Sequence, residues 1–301
     1  MSTSAEILFF LDIAGGRILS VRTDGSDVRT VVTTNCKHPD GIAVDVEAGH
    51  LYWTNMGTPE ADDGFILRAD LDGTNITTVV PVSATFTPKQ MQLDRVNGKL
   101  YWSDREGMRV MRANIDGSDI ETLVTLGVGD KARSDETHWG VGMALDIGAR
   151  QFYWTQKGGD DAGQGTIKRA GFDLPAGEDV TNRSDIEVLF EGLPEPIDIE
   201  LDIESQQLYW TDRGDNTVSR AGMNLPAGST AGNRQDREIL VTGVTAAIGL
   251  ALDRKRRRMF YTTLFDARIG AASMDGNGAK WIHSSEGSKL TGIAFARVPQ
   301  S

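Results

Sequence analysis

The sequence predicts an all-β protein: a six-bladed β-propeller of four-stranded antiparallel blades, its ring closed by the C-terminal strand pairing into the N-terminal blade. Three observations predict it. First, one segment recurs about every fifty residues: Leu51-Tyr52-Trp53-Thr54-Asn55, Leu100-Tyr101-Trp102-Ser103-Asp104, Phe152-Tyr153-Trp154-Thr155-Gln156 and Leu208-Tyr209-Trp210-Thr211-Asp212, then a decayed copy, Met259-Phe260-Tyr261-Thr262-Thr263. A fixed period of this length signals a propeller or solenoid rather than one irregular core. Second, each period holds four short runs that alternate apolar and polar residues, as half-buried strands do. Third, Asp-Gly pairs at 24–25, 72–73, 116–117 and 275–276 separate the third run from the fourth. Asp-Gly between alternating runs marks a hairpin, because glycine accepts the positive φ of the tight turn.

In chain order, Ile7–Asp12, Arg17–Arg22 and Val28–Thr33 supply the second, third and fourth strands of a first blade, with Phe9-Phe10-Leu11-Asp12 in the place of Tyr-Trp-Thr-Asp. That blade lacks an innermost strand. The second blade is complete, with runs at Gly41–Val46, Leu51–Thr54, Phe65–Leu71 and Ile76–Val80. The remaining periods repeat it. The final segment, Thr291-Gly292-Ile293-Ala294-Phe295, carries the innermost-strand pattern of Gly41-Ile42-Ala43-Val44, so it is expected to complete the first blade and leave no open edge. All 301 residues then form one domain.

The repeated segments, the preceding strands Gly41-Ile42-Ala43-Val44-Asp45, Gly142-Met143-Ala144-Leu145-Asp146 and Gly249-Leu250-Ala251-Leu252-Asp253, and the third-strand runs Leu67-Arg68-Ala69-Asp70 and Met111-Arg112-Ala113-Asn114 together resemble the YWTD six-bladed propeller of the low-density-lipoprotein-receptor class. The resemblance spans essentially the whole chain. It implies the fold and leaves the function open, since one fold hosts many functions. The repeated aromatic and hydroxyl residues, and Asp45, Asp94, Asp146, Asp202 and Asp253 at the ends of the innermost strands, are expected to serve the architecture.

A net charge of −12 argues against a nucleic-acid partner, which needs a basic footprint. The run Arg254–Arg258 falls in a hairpin and is expected to be a solvated turn. No apolar run reaches the roughly 18 residues of a membrane span. No secretory leader is legible at the N-terminus, and one cysteine, Cys36, gives no disulfide framework. The expectation is a cytoplasmic protein.

Departures from the repeat point to function. Where the innermost strand normally begins Gly-apolar-Ala, the third blade has Gln90-Met91-Gln92 and the fifth Asp198-Ile199-Glu200. Residues two apart share a strand face, so each blade replaces a small pair with a polar one. Burying Asp198 beside Glu200 raises at least one of their pKa values unless a cation or donor answers them. The plainer alternative is a water-filled, polar-lined channel. The loops that lead into the innermost strands carry His38, Asp40, Lys89, His138 and Trp139, and the neighbouring loops carry Phe265. Asp198, Glu200, His38 and His138 are therefore the candidate catalytic groups. Gln90, Gln92, Trp139, Asp40, Lys89 and Phe265 are the candidate substrate-binding groups. The loop Gly127–Gly140 is the longest at that end and a candidate lid. Twin insertions beginning Leu174-Pro175-Ala176-Gly177 and Leu225-Pro226-Ala227-Gly228 are read as a structural brace at the other end.

No nucleophile elbow, phosphate loop, His-Glu-x-x-His or cysteine cluster occurs, and no metal site is expected. Stand-alone fungal propellers of this type that act as hetero-Diels–Alderases on tropolone–terpenoid intermediates are similar in length and lack of modules. That resemblance implies a small, largely apolar substrate in the channel mouth and chemistry that needs no cofactor. Two alternatives stand beside it: a non-enzymatic propeller that docks a protein partner, as receptor members do, and a calcium-dependent lactonase-like hydrolase.

Overall fold

A computed structural model describes residues 4–299. It has six four-stranded antiparallel sheets, and strand order within each runs from the channel to the rim. The innermost strands are Leu290–Pro299, Pro39–Asp45, Pro88–Asp94, Gly140–Asp146, Pro196–Asp202 and Ala247–Asp253. The first of these pairs with Ser4–Asp12, Phe10 opposite Ile293, so the last strand of the chain closes the ring through the first blade. The expected fold and closure hold.

The repeated motif explains why the blades pack as they do. Trp53, Trp102, Trp154 and Trp210 are wholly buried between blades. The Thr of each motif staples neighbouring blades. Thr155 Oγ1 accepts from Gly142 N at 2.8 Å in its own blade and donates to Ile197 O of the next at 2.6 Å. Thr54, Ser103, Thr211 and Thr262 likewise donate to Lys89 O, Gly142 O, Ile248 O and Thr291 O. The first blade has Leu11 at this position and cannot make the bond. Thr291, on that blade's own innermost strand, supplies it instead and donates to Pro39 O at 2.8 Å. Such close approach needs glycine: a Cβ on Gly142 would lie 2.3 Å from Ile197 O.

At the opposite end, each Asp-Gly turn lies against the outer strand of the preceding blade. Gly73, at φ 85°, is so close to Val31 O that a Cβ would sit 1.9 Å from it. The fourth and fifth blades replace this turn with the twin insertions, and a buried arginine makes the contact. Arg183 Nη1 donates to Leu123 O at 3.1 Å and Arg234 Nη1 to Leu189 O at 3.0 Å. The insertions are braces, as expected. The basic run is an exposed hairpin turn, as expected, and its arginines are paired there: Arg254 with Glu200, Arg256 with Glu6, Arg257 with Asp202, and Arg258 with Asp253 and Glu6. Carboxylates on the ends of three strands face it, a pattern invisible in the local sequence. Among the described residues no helix is long and apolar enough to cross a membrane.

Candidate functional site

In every blade but the last, the final polar residue of the motif bonds the loop that enters the innermost strand. Asp104 Oδ1 accepts from Phe86 N and Thr87 N, Asp212 Oδ1 from Glu195 N, and Asn55 Oδ1 from Lys37 N. Backbone bonds such as Met56 N to His38 O and Arg213 N to Glu195 O then seal the two sets of loops together at one end of the ring. The channel entrance there, called the upper mouth, is a cavity of about 210 Å³. Two residues per blade build it. One follows the motif: Ile13, Met56, Arg105, Lys157, Arg213 and Leu264. The other opens the innermost strand: Thr291, Asp40, Lys89, Val141, Ile197 and Ile248. Glu195 completes the lining.

This mouth is chemically two-sided. Val141, Ile197 and Ile248 pack together with Leu264 against them, forming an apolar floor on one side. Across it, Lys89 Nζ donates to Asp40 Oδ1 at 2.7 Å, both side chains at least nine-tenths buried. Burial pushes the Lys89 ammonium below the usual lysine range, with nearby Arg105 adding and Asp40 opposing. On the rim, Lys157 bonds Glu195 at 3.1 Å and Asp160 at 3.1 Å, while Arg213 bonds Glu195 at 2.8 Å and also Asp160. These four charges form a closed ring. Burial alone would lower Lys157, but Glu136, Glu195 and Asp160 outweigh it and hold it above its ordinary value. Glu136 also pairs with Lys157, which ties the loop 127–140 to the rim. Trp139 donates Nε1–H to Arg133 O at 2.8 Å, and its ring lies beneath Arg105 and Lys157 at 4.9 and 5.5 Å.

A mostly apolar annex of about 150 Å³ adjoins the mouth and shares Ile13, Met56 and Arg105 with it. His38 lines this annex with Pro59 and Thr87. Its Nδ1 sits 2.7 Å from Gly57 O, a carbonyl that only accepts, so Nδ1 carries the proton and Nε2 of the neutral ring keeps its lone pair.

The lower end of the channel is a separate chamber of about 220 Å³ with no lining residue in common with the mouth. Gln90, Gln92, Asp198 and Glu200 line it, with Ala43, Ala251 and Ala294 opposite and Arg95 and Arg254 at its opening. Gln92 Nε2 donates to Glu200 Oε1 at 2.9 Å, and Arg254 Nη2 donates to Glu200 Oε2 at 2.7 Å. Asp198 accepts only backbone bonds, from Ile199 N at 2.9 Å and Leu250 N at 2.8 Å. Burial, and then the charge of Glu200, push its carboxyl well above the carboxylate range.

The expected convergence of Asp198, Glu200, Gln90 and Trp139 on one mouth is therefore corrected. The channel narrows between them: Gln90 Nε2 reaches up to Asp40 Oδ2 at 3.2 Å, while Glu200 and Gln92, further along their strands, face the other opening. Asp40 and Lys89 stand in the upper mouth, His38 in its annex, and Trp139 on its rim. His138 lines neither cavity; its ring packs where a Cβ on Gly127 would fall, and its Nδ1 is buried without a hydrogen bond, 3.8 Å from Asp135 Oδ2. Phe265 is 62% exposed, with Lys289 Nζ 5.9 Å from its ring, and lines neither cavity. Arg105, Lys157 and Arg213 were not among the expected site residues. The signal for them lay in the repeat: the residue directly after each motif changes chemical type from blade to blade, while the aromatic and hydroxyl positions of the motif are largely kept.

A six-bladed propeller with a two-sided upper mouth and a second, polar chamber defines the class of protein. The profile of the low-density lipoprotein receptor repeat class B matches residues 6–46. A "Low-density lipoprotein receptor-related protein 1" of Pyricularia oryzae is 44% identical over 93% of this chain and 92% of its own length. The chain belongs to the low-density-lipoprotein-receptor class B, or YWTD, propeller family. It is also similar to the "3-hydroxyacyl-CoA dehydrogenase-like protein LAM1" of Cochliobolus heterostrophus, at 36% identity over 93% of this chain, and spans 61% of that protein's length. Among solved structures, a nidogen/laminin complex chain superposes with TM-score 0.74 at 20% identity, covering 98% of this chain and all of that one. At that identity the likeness is one of fold.

Proposed function

We propose that the protein binds a small, largely apolar, oxygen-bearing molecule in the upper mouth and transforms it without a cofactor. The more specific reading is a hetero-Diels–Alder cyclisation on a tropolone–terpenoid intermediate. The observation that carries it is the two-sided mouth: an apolar floor of Val141, Ile197 and Ile248 faces a buried Lys89–Asp40 pair, and an apolar annex adjoins both. A terpenoid chain fits the floor and annex, and an oxygenated ring fits the pair.

In this reading the reaction begins with loss of water from a hydroxyalkyl group beside a ring hydroxyl. The carbon–oxygen bond breaks, and the Lys89 ammonium gives its proton to the departing hydroxyl, which leaves as water. The ring hydroxyl returns a proton, to Lys89 through Asp40 or to His38 Nε2, leaving a quinone methide. Its enone and an alkene of the terpenoid then form one carbon–carbon and one carbon–oxygen bond. The protein's part in that step is to hold both partners in contact, and orientation alone lowers such a barrier by about 7–11 kcal/mol. Proton transfer by a placed group adds roughly 10²–10⁴-fold. Turnover of a hydroxyalkyl tropolone with a terpenoid alkene tests this. Acceleration is expected in the native protein, and Lys89→Met should lower kcat by about a hundredfold or more. Equal rates with and without protein would overturn the reading.

A protein-docking role draws on exposed Phe265 near the same rim and the net charge of −12. A patch of one large apolar side chain is small for a stable interface. The calcium-dependent alternative would need the oxygens of Asp198 and Glu200, and each of these four oxygens already accepts a hydrogen bond.

A further inference from the structure

The lower chamber takes no part in the reaction above, yet it is built from the two blades that depart most from the repeat. Four blades place glycine at one level of the channel, Gly41, Gly142, Gly249 and Gly292, and the third and fifth place Gln90 and Asp198 there. One step lower, alanine gives way to Gln92 and Glu200 in the same two blades. The direct bond from Gln92 to Glu200 spans the third to the fifth blade and walls the chamber on that side. Three alanines, at 43, 251 and 294, wall the other.

Apart from the two arginines at the opening and the proton that burial favours on Asp198, the polar atoms that remain are acceptors. Gln92 spends its nitrogen on Glu200, and Gln90 spends its own on the Asp40 carboxylate and carbonyl. Those partners accept only, so neither amide can be turned around. Among the described residues, Oε1 of Gln90 and Oε1 of Gln92 receive no hydrogen bond, and Gln90 is 96% buried. Asp198 is equally enclosed and has no cationic partner, whereas Arg254 and Gln92 answer Glu200. The chamber thus offers oxygen atoms without matching donors and one carboxyl without a counter-charge. An anion would meet Glu200. A neutral polar molecule would leave Asp198 unanswered. A compact cation with several N–H donors satisfies both deficits, and the volume of about 220 Å³ admits an amine of a few carbon atoms resting on the alanine wall.

We propose that this chamber is a binding site for a small primary ammonium, held by Asp198, Gln90 and Gln92 and entering past Arg254. Binding sets a positive charge against Asp198 and so draws off its proton. The groups that face that carboxyl are Glu200 on its own strand, Asp40 beyond Gln90, and Arg254 and Arg95 at the opening; none of them replaces the ligand's charge. Lining of the upper mouth is not shared, so this site stands or falls apart from the reaction proposed there.

Isothermal titration of the whole chain with ethylammonium, in two buffers of different ionisation enthalpy, tests it. The expected result is saturable binding of one ligand per chain with proton release, and no saturable binding of n-propanol, acetate, potassium or tetramethylammonium. Asp198→Asn should weaken it by about tenfold or more. Ala294→Met, which fills the chamber from its apolar wall, should abolish it, and it carries the test if the first variant does not fold. Three results would overturn the proposal: no saturable binding, equal binding of potassium or tetramethylammonium, or unchanged binding in Ala294→Met.

Discussion

Thr155 shows how much a single side chain of the repeat does. Its hydroxyl satisfies a backbone N–H in one blade and a carbonyl in the next, both buried. Thr155→Val keeps the shape and removes both bonds, at about 1–3 kcal/mol for each buried group left unpaired, which denaturant unfolding measures. Asp212 caps its loop but holds its charge at a cost at neutral pH. Burial, with Asp215 adding, pushes its carboxyl up to about 6, and its Oδ2 is buried without a partner. The folded state therefore favours the protonated form. The contribution of this carboxyl is intact below its unfolded pKa, is lost as pH rises through about 6, and stays lost above. The second blade makes the same cap without a charge through Asn55, although its Nδ2 is also buried without a hydrogen-bond partner. Asp212→Asn should raise the melting temperature by a few degrees above pH ~6 and leave it nearly unchanged at acid pH. A melting series against pH checks both limbs.

At the scale of elements, the repeat made the strands legible and concealed what varies between blades. Period, Asp-Gly turns and the orphan final segment were enough to place every blade and its closure, because a propeller asks the same of each unit. The Thr291 staple was not legible. It replaces a bond that Leu11 cannot make, and only the folded ring brings those residues together. Nor could the sequence show that Arg183 and Arg234 stand in for the missing Asp-Gly turns. Arg234 donates to Leu189 O, Gly222 O and Asn224 O and pairs with Asp236 at 2.7 Å, its side chain 1% exposed. Arg234→Leu strands those carbonyls and should cost about 1–3 kcal/mol for each one left buried and unpaired. Ending the chain after Lys289 removes the closing strand and bares the edge of Ser4–Asp12. That variant should aggregate on expression, whereas a native-like melting transition would show that closure is not required.

Across the whole molecule, the channel is two compartments rather than one. Most of the polar groups were legible in the sequence, but as members of a single mouth, because alternation along a strand tells which face a residue takes and not how far down the channel it lies. Asp198 to Glu200 is one such step, and it leads away from the upper opening. The cations of the rim were missed for a related reason: Arg105, Lys157 and Arg213 look like ordinary loop charges until the six blades bring them around one opening. Their carboxylate partners hold them fixed, and buried, ordered charge of this kind favours oriented binding of a polar group over general attraction. A crystal structure with the cyclised tropolone–terpenoid product bound would decide which compartment takes the substrate. Density is expected in the upper mouth, the terpenoid portion over Val141, Ile197 and Ile248 and an oxygen within hydrogen-bond reach of Lys89. Product in the lower chamber, or an upper mouth that stays unoccupied at saturating product, would contradict that placement.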